Sequence, residues 1–431
     1  MHLARRAYLL VLLTAVLAIA GIWSSDAAML GWWRLPALLL LVGLAWEGVF
    51  LRRRPISARL DTASRALLGR EQPAAFVFSN DSARSIAIEY APATPAGFEP
   101  LPELRRVRVP ARGSARDVLS LLPVRLGAQT WPPIPARVCG PLSFAWWSLV
   151  LQPGLQLTVA PDARGAQRRL QGLRSGARPR ALPGAGTELH QLRAYVRGDP
   201  LGSIDWKATA RAGALVTREF SEDQHLDVLI AIDAGRLSRI RAGALDRLGL
   251  YANLAARLAE LIVQLDDRVG LVIYADRVLA RCAPARGLPA LIALRRTLEQ
   301  LSVQPAESDP TAAAISVRRM LRHRGLVLLL TDLDDAILAS QLVRAVRLLA
   351  PPHLVVVAGV HSGEVAALSQ RVAQQWPDPW IALAASEHEA RAEGQRLLLR
   401  RLGAPVVSAP AQLLEQAVVG TYETLRRTRQ V

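Results

Sequence analysis

Two acidic side chains stand at the ends of apolar runs. Asp-Val-Leu-Ile-Ala-Ile-Asp closes on Asp233, and Leu-Val-Leu-Leu-Leu-Thr-Asp closes on Asp332. Such runs read as strands buried on both faces of a parallel sheet. Ligands of these sheets sit beyond the carboxyl ends of the strands, where both acids fall. Carboxylates and hydroxyls are hard oxygen donors, suited to Mg²⁺ or Mn²⁺. In Asp233-Ala234-Gly235-Arg236-Leu237, however, Gly235 and Leu237 carry no donor, and Arg236 opposes a cation if it turns inward. Any ion is expected to bind weakly at Asp233 and Asp332, and no other cofactor is expected. The plainer alternative is that the two acids cap loops or pair with Arg236.

A second constellation lies just upstream. Glu188, Arg193, Asp199, Asp205, Lys207, Arg211, Arg218 and Glu219 are set among apolar positions that include Tyr195 and Trp206. The stretch has no nucleophile–base pair, phosphate loop or histidine metal cluster, so the chain is not expected to be an enzyme. Arginine pairs with carboxylates in a bidentate fork. The cluster therefore reads as a salt-bridged clasp fixing one domain against the next. Leu189, Leu192 and Tyr195 recur every third residue, which predicts one or two helical turns. Ser203 or Asp205 can cap a short helix over Trp206–Arg211.

The order of these residues resembles the bacterial family called domain of unknown function 58. Its pattern is close to G-x-E-[FL]-x-x-L-R-x-Y-x-x-G-D-x-x-x-x-I-D-W-x-x-[ST]-A-R, followed by an R-E strand. Gly186, Glu188, Leu192, Arg193, Tyr195, Gly198, Asp199, Ile204, Asp205, Trp206, Thr209, Ala210, Arg211, Arg218 and Glu219 stand at those places. Gly202-Ser203 replace the arginines that usually precede the I-D-W triplet. Arg125-Leu126-Gly127 and Pro141-Leu142-Ser143-Phe144 resemble two further family steps. The resemblance implies a doubly wound α/β domain of von Willebrand A type, and association with MoxR-class AAA+ ATPases. In von Willebrand A domains the metal site joins a D-x-S-x-S loop, a threonine from a second loop and an aspartate from a third. Asp233 and Asp332 match the first and third, the loop Glu307-Ser308-Asp309-Pro310-Thr311 offers Thr311 or Asp309 for the second, and Gly235 and Leu237 replace the serines. The implied function is a non-enzymatic, membrane-anchored scaffold. The alternative is a cation-dependent adhesion-type receptor.

The rest of the chain must position these residues. Apolar runs Ala7–Trp23 and about Leu35–Leu51, flanked by Arg5-Arg6 and Arg52-Arg53-Arg54, read as two membrane spans within residues 1–55. The arginines put both ends of this hairpin, and the body, on the cytoplasmic side of the inner membrane. Glu47 is expected to face the first helix or the interface. A cleaved signal peptide is the rival reading. Residues 56–166 alternate like a small β-sandwich. Trp146-Trp147 there read as strand residues rather than a ligand platform. Residues 167–186 are a basic linker, 187–225 the signature segment, and 226–431 the α/β domain.

In that last domain strands are predicted at Asp227–Asp233, Val269–Tyr274, Leu326–Thr331, Leu354–Val360 and Val406–Val407. Helices are predicted near Leu245–Leu265, Leu288–Leu301, Thr311–Arg322, Ile337–Leu349, Glu364–Gln375, Glu387–Leu402 and Ala411–Arg426. The formal charge is +17, and Lys207 is the sole lysine. That charge predicts attraction to a lipid bilayer or acidic protein faces. Nucleic acid is not expected, because the basic residues are scattered and no recognition motif accompanies them. Cys139 and Cys282 lie far apart and predict no disulfide.

Overall fold

The computed structural model describes residues 2–23, 31–52, 56–101, 103–163, 183–184, 188–221, 226–333, 335–361 and 363–427. Much of the expected linker, the turn of the expected hairpin, and Arg53 and Arg54 lie outside the described residues. The chain divides into two compact units, one of Met1–Pro161 with Glu299–Leu301, the other of Asp162–Leu298 with Ser302–Val431.

The first unit begins with α1 (Arg5–Trp23) and α2 (Arg34–Arg52), both long and apolar enough to cross a membrane. Nineteen residues each, at 1.5 Å rise, reach about 28 Å. Their leucines face outward: Leu9, Leu12, Leu38 and Leu41 are all exposed. Glu47 is the exception on α2. It is fully buried. Its carboxylate accepts from the amides of Leu142 (2.9 Å), Phe144 (3.3 Å) and Ala145 (3.1 Å). A β-domain turn thus closes around an acid on an apolar helix, an arrangement of converging amides that suits an anion. The approach is tight, since a Cβ on Gly140 would lie 2.1 Å from the Glu47 carboxyl carbon. The start of the chain meets the same turn: Ala4 donates to the Phe144 carbonyl at 2.7 Å, and His2–Leu3 pairs with Ala145 and Trp146.

The β-domain behind that turn is built from three small sheets. One orders His2–Leu3, Ala145–Leu151, Ile134–Cys139, Ile86–Tyr90 and Arg105–Val109, all antiparallel. A second orders Ile56–Asp61, Gln72–Asn80 and Gly113–Leu121, and a third Arg65–Leu67, Gln156–Ala160 and Gly127–Thr130. Alternation sends Phe76, Phe78 and Tyr90 inward, where Tyr90 meets Phe78 edge-on at 4.8 Å and Phe76 at 5.5 Å. The Tyr90 hydroxyl, carried into the core, donates to Asp117 at 2.6 Å. Trp146 and Trp147 are strand residues, half-buried; Arg106 lies over the Trp146 ring.

The second unit opens with β1 (Glu188–Ala194), antiparallel to β2 (Val216–Ser221). This overturns the helix expected over Leu189–Tyr195. A three-residue period across two turns cannot sustain a helix by itself, and Leu192 has no core to fill, being 47% exposed. The ladder to Val216-Thr217 decides the matter. The short helix that follows is α3 (Trp206–Ala212), capped by Asp205 and ended by Gly213 at φ 67°.

Next comes a six-stranded sheet made of β3 (Asp227–Asp233), β4 (Arg268–Tyr274), β5 (Val278–Ala285), β6 (Leu326–Leu330), β7 (Leu354–Val360) and β8 (Val406–Ala409). Its order is β5-β4-β3-β6-β7-β8, parallel except for β5. The sequence reading lacked β5, an edge strand that returns beside β4. The helices are α4 (Arg247–Gln264), α5 (Gly287–Glu299), α6 (Pro310–Met320), α7 (Ala336–Leu349), α8 (Gly363–Ser369), α9 (Asp378–Arg401) and α10 (Ala411–Arg427). Helices α4 and α10 cover one face; α6, α7 and α9 cover the other. The expected break between Gln375 and Glu387 is shorter, because α9 starts at Asp378. Both faces being covered explains the unbroken apolar runs: Val228 through Ile232 are wholly buried.

At the amino ends of the strands, Asp267 is completely buried. It accepts from the Tyr422 hydroxyl (2.7 Å), Arg426 Nε (2.8 Å) and the Leu226 amide (3.0 Å). One carboxylate thereby ties the last helix to the entrance of β3.

Candidate functional site

The carboxyl ends of β3 and β6 bring Asp233 and Asp332 to the top of the sheet, as neighbouring parallel strands must. Each acid is then engaged separately. Asp233 is 2% exposed. One of its oxygens accepts from the Gly235 amide (2.9 Å) and the Ser308 hydroxyl, the other from the Thr331 hydroxyl (2.6 Å). Asp332 pairs with Arg247, and both side chains are buried. Arg247 opens α4, where the helix dipole disfavours a cation; Asp332 compensates for that placement.

The other expected site residues do not reach the carboxylates. Arg236 extends outward and pairs with Glu307, both well exposed. It does not pair with Asp233 or Asp332 as the plainer reading allowed. Asp309 caps α6, accepting from the Thr311 amide at 2.9 Å, while its own amide donates to Ala275 at 2.7 Å. Ser308, passed over in favour of its neighbours Asp309 and Thr311, is the loop residue that reaches Asp233. Gly235 is why it can: a Cβ there would lie 2.0 Å from the Ser308 oxygen. Thr331 carried a usable signal, a hydroxyl at a strand end directly before an acid. Arg247 and Tyr251, whose hydroxyl donates to the Thr331 carbonyl at 3.0 Å, were read only as helix.

Burial pushes the Asp233 carboxyl above its usual range, although Ser308, Thr331 and Gly235 pull it down. The neighbouring Tyr274 phenol is raised well above its ordinary value, first by burial and then by Asp233. For Asp233 the folded value exceeds the unfolded one, so proton uptake favours the folded chain. That contribution is complete below pH ~3.9 and is lost as pH rises through the folded value. Asp233→Asn keeps an oxygen for Gly235 and Ser308 and an N–H for Thr331, but cannot ionise. Melting temperatures from pH 4 to 8 should show the variant gaining on the natural chain as pH rises, then levelling. A difference independent of pH would refute the upward shift.

The charged segment resolves into two local devices. Arg193 forks onto Asp199 at 2.8 and 2.9 Å and reaches Glu219 at 3.4 Å. Asp199 also accepts from the Val196 amide, and Arg193 foremost holds its carboxyl down at about 2. Asp205 joins no ion pair among these; it caps α3 through the Ala208 amide at 2.9 Å. The partners of Arg193, Asp199 and Asp205 lie inside the segment, so these three fasten β1, β2 and the return between them. The expected clasp from one domain to another is not what they form. Trp206 is 67% exposed, Arg211 is exposed and Tyr195 half-buried. The Glu188 side chain lies outside the described residues. Among the described residues, no group of three or more His, Cys, Asp or Glu could hold a metal. Cys139 and Cys282 are free.

Residues 191–369 match the family model described as "Protein of unknown function DUF58". Similar curated proteins include "Uncharacterized protein Rv1480" of Mycobacterium tuberculosis and "Uncharacterized protein Mb1516" of Mycobacterium bovis. Each is 26% identical over 180 residues, 41% of this chain and 55% of the relative. The chain thus spans about half the length of the curated relatives it matches. Among solved structures, the conserved hypothetical protein BatB from Bacteroides thetaiotaomicron aligns with 46% of this chain and 99% of its own, at 13% identity and a TM-score of 0.29. The cupredoxin domain of amoB from Nitrosocaldus yellowstonii aligns with 25% of this chain and 87% of its own, at 9% identity and a TM-score of 0.17. Both scores are too low to assign a fold.

Proposed function

We propose that this member of the DUF58 family is a membrane-anchored, non-enzymatic adaptor. It holds a von Willebrand A-like domain in the cytoplasm beside the inner membrane for a protein partner, in the first place a MoxR-class AAA+ ATPase. The observation that carries this reading is the state of the two sheet-top acids. Asp233 has both oxygens engaged by hydroxyls and an amide, and Asp332 faces a buried guanidinium. A carboxylate so engaged is a poor general base, and Arg247 repels a cation. The donors therefore do not fit a divalent ion, and the sheet top serves as a rigid protein surface.

Two facts support the anchor. Helices α1 and α2 pass the length and apolarity that a span requires. The first residues of the chain and the end of α2 both meet the turn at Gly140–Ala145, as expected if one side of the bilayer holds both ends. Full-length protein purified from membranes, with its bound proteins identified, tests the adaptor reading. Capture of a AAA+ ATPase is expected to survive a chelator. Capture lost in the chelator and in Asp233→Ala would favour the cation-dependent adhesion-type receptor instead.

A further inference from the structure

Helices α8 and α9 stand between β7 and β8, and the segment joining them makes an apolar tip. Trp376 is 85% exposed, Val372 80% and Trp380 64%; Ile381 and Leu383 are also exposed. The tip is an ordered turn. The Asp378 side chain is buried and accepts from the Gln374 amide at 2.8 Å and the Gln375 amide at 2.9 Å. The amides of Trp380 and Ile381 both donate to the Pro377 carbonyl at 3.1 Å. Pro377 and Pro379 restrict the backbone on either side. The sheet domain does not use these side chains: they are held in place and left facing solvent.

From 365 to 386 the sequence contains one cation, Arg371, and one carboxylate, the buried Asp378. Exposed Glu364 and Glu387 bound this stretch; between them, a surface with two indoles, aliphatic side chains, one arginine and no exposed carboxylate matches the headgroup–acyl boundary of a bilayer. Tryptophan prefers that depth, and apolar faces sink ~5–10 Å into it when basic residues meet anionic lipid. The chain as a whole carries +17, which an anionic surface attracts. A covalent anchor in the same bilayer raises the effective lipid concentration at the tip, so a small apolar contact suffices.

We propose that the α8–α9 tip inserts into the interface of an anionic bilayer, giving the sheet domain a membrane contact of its own. This rests on the reading of α1 and α2 as a membrane anchor.

Environment-sensitive fluorophores on single cysteines test this in the full chain. The background carries Cys139→Ala and Cys282→Ala, in nanodiscs holding one copy. Labels go at Val372→Cys in the tip, at Leu39→Cys in α2, and at Gln264→Cys as an exposed site elsewhere. Doxyl lipids are then added to discs with and without phosphatidylglycerol. The tip label should be quenched less than the Leu39 label but more than the Gln264 label. Its quenching should weaken without the anionic lipid and fall to the Gln264 level when Trp376→Ser and Trp380→Ser are combined. A quenched Leu39 label with a Val372 label no different from Gln264 overturns the tip contact alone. An unquenched Leu39 label overturns the anchor and the proposal together. A blue shift at Val372 that needs two copies in one disc would make the tip a self-association face, and would also overturn it.

Discussion

Asp267→Ala is expected to destabilise the sheet domain by about 3 kcal/mol or more, the cost of leaving one partner of a buried ion pair alone. The Asp267 carboxylate is 0% exposed, so its removal leaves the Arg426 guanidinium without the acceptor it meets in the folded chain. Three donors converge there: the Tyr422 hydroxyl, Arg426 Nε and the Leu226 amide. The Arg426 side chain is 30% exposed and can regain some solvent, so Arg426→Ala should cost somewhat less than Asp267→Ala. Tyr422→Phe removes a single hydrogen bond and should cost about 1 kcal/mol. Because the residues share one network, Asp267→Ala with Arg426→Ala should fall short of the sum of the two. Hydrogen exchange over α10, alongside the melting temperature, reads the effect where it arises. If Asp267→Ala leaves α10 protected, Asp267 is not what holds the helix to β3.

What the sequence disclosed depended on how much of an element's environment is written into its own residues. Strands β3, β6 and β7 are covered on both faces, so their apolar runs are unbroken and their ends fall close to prediction. Strand β5 escaped because it is an edge: Arg281 and Ala283 are exposed, and Pro284 sits inside it. The stretch Glu188–Ala194 was misread because strand pairing with Val216–Ser221 is a long-range fact, invisible in a local period of three. The candidate site divides in the same way. Asp233 and Asp332 were legible as acids ending buried strands. Their partners come from 75 residues away for Ser308 and from the start of α4 for Arg247, and only the closed fold aligns them. Gly235 looked like a lost ligand, yet the space above it is what admits Ser308.

Glu47 is where composition gave least and geometry gives most. An acid on an apolar helix is costly in a bilayer unless it is engaged, and such residues default to a role with a named partner. Here the partners are the amides of Leu142, Phe144 and Ala145. Glu47→Ala leaves all of them without an acceptor, and a buried unsatisfied amide costs about 1–3 kcal/mol. Glu47→Gln should be milder but not silent. It keeps one oxygen and turns an N–H toward an amide donor. Gly140→Ala attacks the same contact from the other side, since its methyl would fall 2.1 Å from the carboxyl carbon; on α2 itself, a Cβ at Gly43 would lie 2.3 Å from the Phe144 ring. All three substitutions should raise hydrogen exchange at Leu142, Phe144 and Ala145, in the order Ala at 47 above Gln at 47, with Gly140→Ala comparable to the former. The strands Gln72–Asn80 and Gly113–Leu121 are paired with one another and not with this turn, so their protection should hold. Unchanged exchange at 142–145 in Glu47→Ala would mean the turn closes without the carboxylate, and that Glu47 does not fix α2 to the β-domain.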